Sequence, residues 1–161
     1  MKSELKICVV DYGIGNIKAL TNIYDKLNIN VEIASKKEQF FNATHLILPG
    51  VGAFDWAMSK LNESGLRETL DELVLEKKIP VLGVCVGMQI MASQSEEGDL
   101  PGLNWIEGKV LKLDRNIILP HMGWNTIKFS VKSELFNNIE NPEFYFLHSY
   151  YYKIEDDKNI L

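Results

Sequence analysis

Pro80-Val81-Leu82-Gly83-Val84-Cys85-Val86-Gly87-Met88-Gln89 begins as a short apolar strand, passes through a turn of small residues and runs into Met88, Gln89, Ile90 and Met91, which can open a helix. Cys85 stands on the turn, with Gly83 and Gly87 two positions away on either side. This is the Gly-x-nucleophile-x-Gly pattern of a nucleophile elbow, with Cys in place of Ser. A turn that sharp pushes the nucleophile into a strained, exposed position and leaves no room for flanking side chains, which accounts for the glycines. The following helix would direct its unbonded N–H groups and positive dipole end at the sulfur, favouring the thiolate. A structural Cys buried after a strand is the plainer alternative; the elbow spacing favours the nucleophile.

Outward from this stretch, strands and helices alternate. A strand over 5–10 leads into Asp11-Tyr12-Gly13-Ile14-Gly15-Asn16 and a helix over about 16–27, with Ile17, Leu20, Ile23, Tyr24 and Leu27 at helical spacing. A second strand covers 30–34, with Val31 and Ile33 inward, and 36–41 is a short helix or turn. A third strand, 44–48, is stopped by Pro49-Gly50-Val51-Gly52. Helices over 53–61 and 66–76 then lead to the Cys85 strand. Such alternation predicts an α/β fold, a mainly parallel central sheet with helices on both faces. Ligands in these sheets sit off the carboxyl ends of the strands. The 11–16, 49–52 and Cys85 turns are all carboxyl ends, so three glycine-bearing loops are expected to converge on one crevice. Gly13-x-Gly15 also invites a dinucleotide reading, but the third glycine position holds Lys18, and a tight strand-to-helix turn is preferred. His45, at a strand mouth, reads as structural.

After Gln89 the character changes. Residues 93–99 form a polar loop with Glu96 and Glu97, 102–108 a loop with Trp105, and 109–113 a strand. Residues 117–125 are expected to be a loop; the large residues of Leu119-Pro120-His121-Met122-Gly123-Trp124-Asn125 suggest a contact surface, against the alternative of a loop folded onto its own core. A single aromatic strand over 144–152 contains His148-Ser149-Tyr150.

With 161 residues, one domain is expected. Lys plus Arg number 17 against 22 Asp plus Glu, a formal charge of −5. No basic block or RNA-type aromatic motif appears, which argues against nucleic acid as a partner. Cys8 lies in an apolar run and reads as core; two cysteines without framework spacing point to a reducing, cytoplasmic setting. No apolar stretch approaches a membrane span, and the first residues lack the apolar core of a signal peptide.

Several blocks, in this order and spacing, resemble one family: Asp11-Tyr12-Gly13-x-Gly15-Asn16, Leu48-Pro49-Gly50-Val51-Gly52-Ala53-Phe54, Gly83-Val84-Cys85-Val86-Gly87-Met88-Gln89, Ser95-Glu96-Glu97-Gly98, Pro120-His121-Met122-Gly123-Trp124-Asn125 and His148-Ser149-Tyr150. Together they are similar to the glutaminase subunits of imidazole glycerol phosphate synthases, which are class I (triad) glutamine amidotransferases. The resemblance covers essentially the whole chain, and the Pro-His-Met-Gly-Trp-Asn block is specific to these subunits. It implies the flavodoxin-like class I amidotransferase fold and hydrolysis of glutamine to glutamate and ammonia, with no cofactor and no metal. Cys85 would be the nucleophile. Backbone N–H groups of Val51, Gly52 and Val86 would form the oxyanion hole. Gly50, Gln89, Glu97, Ser149 and Tyr150 would hold glutamine. Pro120, His121, Met122, Gly123, Trp124 and Asn125 would face a (β/α)₈-barrel cyclase subunit in a heterodimer, where ammonia is passed on in histidine biosynthesis.

Two departures stand out. Val86 replaces the more usual Leu after the nucleophile, and the His-Pro-Glu motif that supplies the triad base and its carboxylate appears nowhere in the sequence. The histidines, His45, His121 and His148, fall in motifs with other uses. The expectation is therefore a single amidotransferase domain over 1–161, truncated at its C-terminus and poorly active alone. Other readings are a non-catalytic module that binds the cyclase, His121 or His148 as substitute base, and ammonia supply to a sugar amidotransferase of surface-polysaccharide synthesis. A flavodoxin-like nucleotide binder would rest on Gly13-x-Gly15 alone.

Overall fold

The computed structural model describes residues 5–114, 116, 118–129, 133–156 and 160. The readings for 1–4 and for Ile117 lie outside the described residues. Four parallel strands, β1 (Ile7–Val10), β2 (Val31–Ala34), β3 (His45–Leu48) and β4 (Val81–Gly83), form the central sheet in the order β2-β1-β3-β4. Side chains alternate along a strand. The register therefore sets Cys8, Val10, Ala34, Leu46 and Leu48 on one face and Val9, Ile33, Ile47 and Leu82 on the other.

The handedness of the crossovers decides where the helices go. The steps from β1 to β2 and from β3 to β4 run in opposite directions across the sheet, and right-handed connections send their helices to opposite faces. Helix α1 (Ile17–Lys26) takes the Val9 face, and α2 (Phe54–Ser64) and α3 (Arg67–Asp71) take the Cys8 face. The main core lies on that second face, where Phe54, Met58, Leu61 and Leu70 join Cys8, Val10 and Leu48 at 0% exposure. Burying each large apolar side chain is worth roughly 1.5–3 kcal/mol. The same burial pushes the Cys8 thiol up from its ordinary pKa, so it stays a protonated core group.

Local readings needed small corrections. Helix α2 runs to Ser64 and stops at Gly65, a left-handed cap with φ 69°. Helix α3 continues over Glu72–Glu76 as a wider π-type turn. Val31 and Ile33 share the Val9 face, but Ile33 is 43% exposed. Strand β2 is a sheet edge, and α1 leaves Ile23 and Leu27 outside the core as well.

The later part of the chain builds a one-turn helix, α4 (Val86–Gln89), and five strands: β5 (Gln94–Ser95), β6 (Gly108–Lys112), β7 (His121–Thr126), β8 (Glu143–His148) and β9 (Tyr150–Ile154). Strands β5, β6 and β9 make a second sheet, and β7 and β8 an antiparallel pair. Two expectations are overturned here. The 121–125 stretch is strand, not loop: it pairs with β8 from His121 opposite His148 to Thr126 opposite Glu143. Pro120 and Gly123 read locally as turn residues, but an aromatic partner strand outweighs local preference. The expected 144–152 strand is two strands in different sheets, broken at Ser149, where His148 Nδ1 bonds the Tyr150 carbonyl at 2.8 Å.

Candidate active site at the strand carboxyl ends

Cys85 sits between β4 and α4 with φ 56° and ψ −123°, and its side chain is exposed. A residue with a Cβ held there costs on the order of 1–3 kcal/mol. The flanking glycines are required by their surroundings. A Cβ on Gly83 would lie 2.6 Å from Met88 Cα, and one on Gly87 would run into the Leu48 carbonyl oxygen at the end of β3. Helix α4 opens at Val86, two residues before the Met88 expected to open it, and is a single turn, so its dipole is small. The Gly87 N–H donates to the Val84 carbonyl at 3.0 Å, and the Met88 N–H to the Cys85 carbonyl at 2.9 Å. The Val86 N–H, one position ahead of these, opens α4 directly after Cys85 in the chain.

The 49–52 loop lies directly on α4. A Cβ on Gly50 would be 2.8 Å from the Val86 carbonyl carbon and would strike the Gly87 nitrogen. Behind it stands the 11–16 loop. The buried Tyr12 hydroxyl donates to the Pro49 carbonyl at 2.6 Å, and Gly15, with φ 106°, packs against the Pro49 ring. Asn16 caps α1 by accepting from the Ala19 N–H at 3.1 Å. Gly13 and Gly15 thus serve a turn and a close approach. Strands β1 and β3 are neighbours whose chains leave in opposite directions, the switch point at which such sheets open a crevice. At its mouth Val51 is 48% exposed and Gly52 has φ 85°. The three expected loops do meet.

Tyr12 was not singled out in the sequence. Burial pushes its phenol up, and pushes that of Tyr152, whose hydroxyl donates to the Ile106 carbonyl at 2.8 Å, up to about 12. Both phenols keep their protons in the folded state, whereas unfolded tyrosine ionises near pH ~10. Stability should therefore be flat with respect to these groups below that pH and fall as pH rises through about 10 to 12. Urea midpoints measured at pH 9 and pH 11 should show the fall, with a smaller fall in Tyr152→Phe; an identical fall in that variant would remove Tyr152 as a cause.

The remaining site residues are distributed. Gln89 is buried in α4, at 8% exposure. Glu97 reaches back 43 residues, and its Oε2 accepts from the Phe54 N–H at 2.9 Å, at the start of α2. Tyr150 opens β9 in the second sheet, and Ser149 is the break just before it. The Ser149 carbonyl accepts from the Leu113 N–H at 2.9 Å, and Tyr150 pairs with Lys112 on β6. Strand β6 connects them to the Glu97 loop, since Glu96 accepts from the Lys112 N–H at 2.7 Å.

None of the chain's three histidines stands on the Cys85 turn. Leu46 pairs with Val81, so His45 lies level with Pro80, five residues before Cys85. At a rise of about 3.3 Å per residue that is roughly 16 Å away. His121 and His148 oppose each other across β7 and β8, ring centroids 5.3 Å apart, and line an open cavity of about 360 Å³ with Leu113, Asn125 and Phe146.

The alternation of β7 divides the residues expected at the partner face. Met122 and Trp124 alternate with His121, Gly123 and Asn125 along the strand and are 58% and 69% exposed. Opposite them on β8 stand Leu147 and Tyr145, 57% and 54% exposed, with the Trp124 and Tyr145 rings edge-to-face at 5.8 Å. His121 and Asn125 belong to the other side. Sequence reasoning missed Tyr145 and Leu147, although the alternation in Glu143-Phe144-Tyr145-Phe146-Leu147-His148 carries the signal. Among the described residues, no helix is long and apolar enough to cross a membrane, and no cluster of three His, Cys, Asp or Glu could hold a metal ion.

Comparison with known proteins agrees with this architecture. A solved structure described as a glutamine amidotransferase superposes with a TM-score of 0.71 at 16% identity, covering 91% of this chain and 73% of that one, a likeness of fold. The imidazole glycerol phosphate synthase subunit HisH of Bdellovibrio bacteriovorus is 51% identical over 157 residues, 93% of this chain and 76% of that protein. The HisH subunit of Leptospira interrogans is 48% identical over 96% of this chain and 79% of its own length. HisH 2 of Methanococcus maripaludis is 47% identical, covering 96% and 78%. The glutamine amidotransferase class-I family matches residues 8–160, and with the HisH identities this shows that the chain belongs to the class I glutamine amidotransferases, within the HisH group.

Proposed function

We propose that the chain releases ammonia from glutamine through a thioester on Cys85 and delivers it to the cyclase subunit of an imidazole glycerol phosphate synthase. The observation that carries this reading is the exposed, strained Cys85 at a point where the 49–52 loop lies against the first turn of α4. Cys85 Sγ attacks the carboxamide carbon, and the carbonyl π electrons move onto oxygen. Val86 N–H, with the Val51 and Gly52 N–H groups of the facing loop, would receive that oxyanion. The oxyanion pair then re-forms the carbonyl as the C–N bond breaks, and the nitrogen leaves as ammonia carrying the proton the thiol gave up. Water adds to the thioester, its oxygen going to the acyl carbon and a proton to the departing sulfur, to give glutamate and the free thiol. Gly50, Gln89, Glu97, Ser149 and Tyr150 are proposed to hold the amino acid.

Proton transfer in both halves normally relies on an imidazole beside the thiol. His45 lies five residues back along the neighbouring strand and His121 and His148 lie on the β7–β8 pair, so capture by Cys85 is the half of the reaction that the described residues support directly. The names of the relatives favour this reading over a sugar acceptor or a non-catalytic module.

The cyclase is proposed to dock on Met122, Trp124, Tyr145 and Leu147, with Pro120 and Gly123 shaping that strand and His121 and Asn125 beneath it. Aromatic and Met side chains are enriched in such interfaces. The pair would act in the cytoplasm as a heterodimer, without cofactor, nucleic acid or membrane. The test is to mix the chain with a (β/α)₈ cyclase subunit and follow complex formation and product formation from glutamine. Binding with glutamine-dependent product is expected; no complex at micromolar concentrations would overturn the assignment. Trp124→Ala should weaken the complex by ten- to a hundredfold, as anchor truncations costing about 1.4–2.8 kcal/mol do, while leaving the urea midpoint of the free chain unchanged. Equal affinity in that variant would remove the surface from consideration.

A further inference from the structure

Helix α2 starts without a cap of its own: Ala53 occupies the capping position and has no side chain to accept from the first turn. The caps come from a distant segment and run in both directions. Glu97 Oε2 accepts from the Phe54 N–H at 2.9 Å. In return Asp55, in the first turn of α2, accepts from the Asp99 N–H through Oδ2 at 2.9 Å and from the Leu100 N–H through Oδ1 at 3.0 Å. Between those contacts lies Gly98, on which a Cβ would strike the Asp55 carboxylate. Ser95, buried at 7% exposure, holds the near end of the loop by accepting from the Glu97 N–H at 3.0 Å. The arrangement is a reciprocal capping box whose halves come from two segments instead of one.

Its position matters more than its contribution to the helix. Helix α2 begins directly after the 49–52 loop, and the 97–100 loop carries Glu97, proposed above to hold glutamine. We infer that Asp55 is a positioning residue for the glutamine pocket: by holding the Asp99 and Leu100 amides it keeps Glu97 over the start of α2, beside the 49–52 loop. The inference rests on the proposed glutaminase reading. Asp55 does not touch the reacting atoms, so its loss should alter how well the glutamine moiety is held and not how fast the thiol reacts. A carboxylate suits the task because both of its oxygens accept. Asparagine offers one acceptor and would set an N–H₂ against a backbone N–H.

The test uses the full chain and two electrophiles followed by intact mass: a diazoketone analogue of glutamine, and iodoacetamide, which carries no amino-acid moiety. In Asp55→Asn the half-saturating concentration of the diazoketone should rise tenfold or more, while its maximal rate and the iodoacetamide rate stay within twofold. Amide hydrogen exchange at Asp99 and Leu100 should accelerate in the same variant. Gly98→Ala, which pushes on the carboxylate from the other side, should give the same split, and the double variant should be no worse than either single one. Unchanged half-saturation in Asp55→Asn overturns the inference, as does equal slowing by both reagents, which would mean a purely structural role. A parent chain that takes iodoacetamide at Cys85 but never the diazoketone overturns the glutaminase reading itself, and this inference with it.

Discussion

Cys85→Gly is expected to abolish capture of a glutamine-mimicking electrophile and, in the same protein, to raise the unfolding midpoint. The two effects have separate causes. Capture needs the sulfur, and no other thiol can replace it, because Cys8 is the only other cysteine and is fully buried. The gain in stability comes from the backbone, since φ 56° with ψ −123° is a conformation that glycine adopts without a Cβ penalty. Relief of about 1–3 kcal/mol of strain exceeds the roughly 0.5–1 kcal/mol that glycine adds to the entropy of the unfolded chain. A net gain of about 1 kcal/mol is therefore expected. Cys85→Ala is the matched control, with the same loss of capture and no gain, because alanine keeps the Cβ. Intact mass after electrophile treatment reads the first effect and urea denaturation the second. Capture persisting in either variant would sink the nucleophile assignment; Cys85→Gly less stable than Cys85→Ala would sink the strain argument.

Gly87→Ala should do the reverse, damaging stability and capture together. Gly87 lies inside α4, where helix propensity alone favours alanine by about 1 kcal/mol. Its surroundings oppose that preference. A Cβ there would collide with the Leu48 carbonyl oxygen and come within 2.8 Å of the Leu48 and Pro49 carbonyl carbons. These are backbone atoms of β3 and its loop, with no flexible side chain to yield. Helix α4 would have to move off the 49–52 loop, separating the Val86 N–H from the loop donors proposed to share the oxyanion with it. Overpacking of this kind costs about 1–3 kcal/mol, and capture should slow by at least tenfold. Urea midpoints decide the sign: a stabilised Gly87→Ala protein would mean that propensity wins and that the helix and loop are not in tight contact.

Much of this site was legible in local pattern. Spacing alone marked Cys85 between Gly83 and Gly87, and the strand–helix alternation up to that point implied a parallel sheet with its loops at one end. Both signals are carried by residues two to four positions apart, within reach of the backbone periods of a strand or helix. Convergence of the 11–16, 49–52 and Cys85 turns followed from those periods plus the handedness of crossovers.

Other features depend on which segments become neighbours, and no local period encodes that. Pro120-His121-Met122-Gly123-Trp124-Asn125 looks like a loop until β8 pairs with it, and only the pairing turns Met122 and Trp124 to the same side as Tyr145 and Leu147. Ile33 alternates correctly, yet remains 43% exposed because β2 falls at a sheet edge. Tyr12 looks like one more aromatic in a glycine loop until its hydroxyl meets the Pro49 carbonyl 37 residues on. Asp55 looks like an ordinary first-turn acid until it meets Asp99, 44 residues away. The sequence on its own was enough for the elbow, the fold class and the family, because each follows from short-range spacing of residue types. The tertiary structure alone decided which side chains of β7 and β8 share an exposed face, the Tyr12 contact behind the 49–52 loop and the shared capping of α2, because each depends on contacts between segments far apart in the chain.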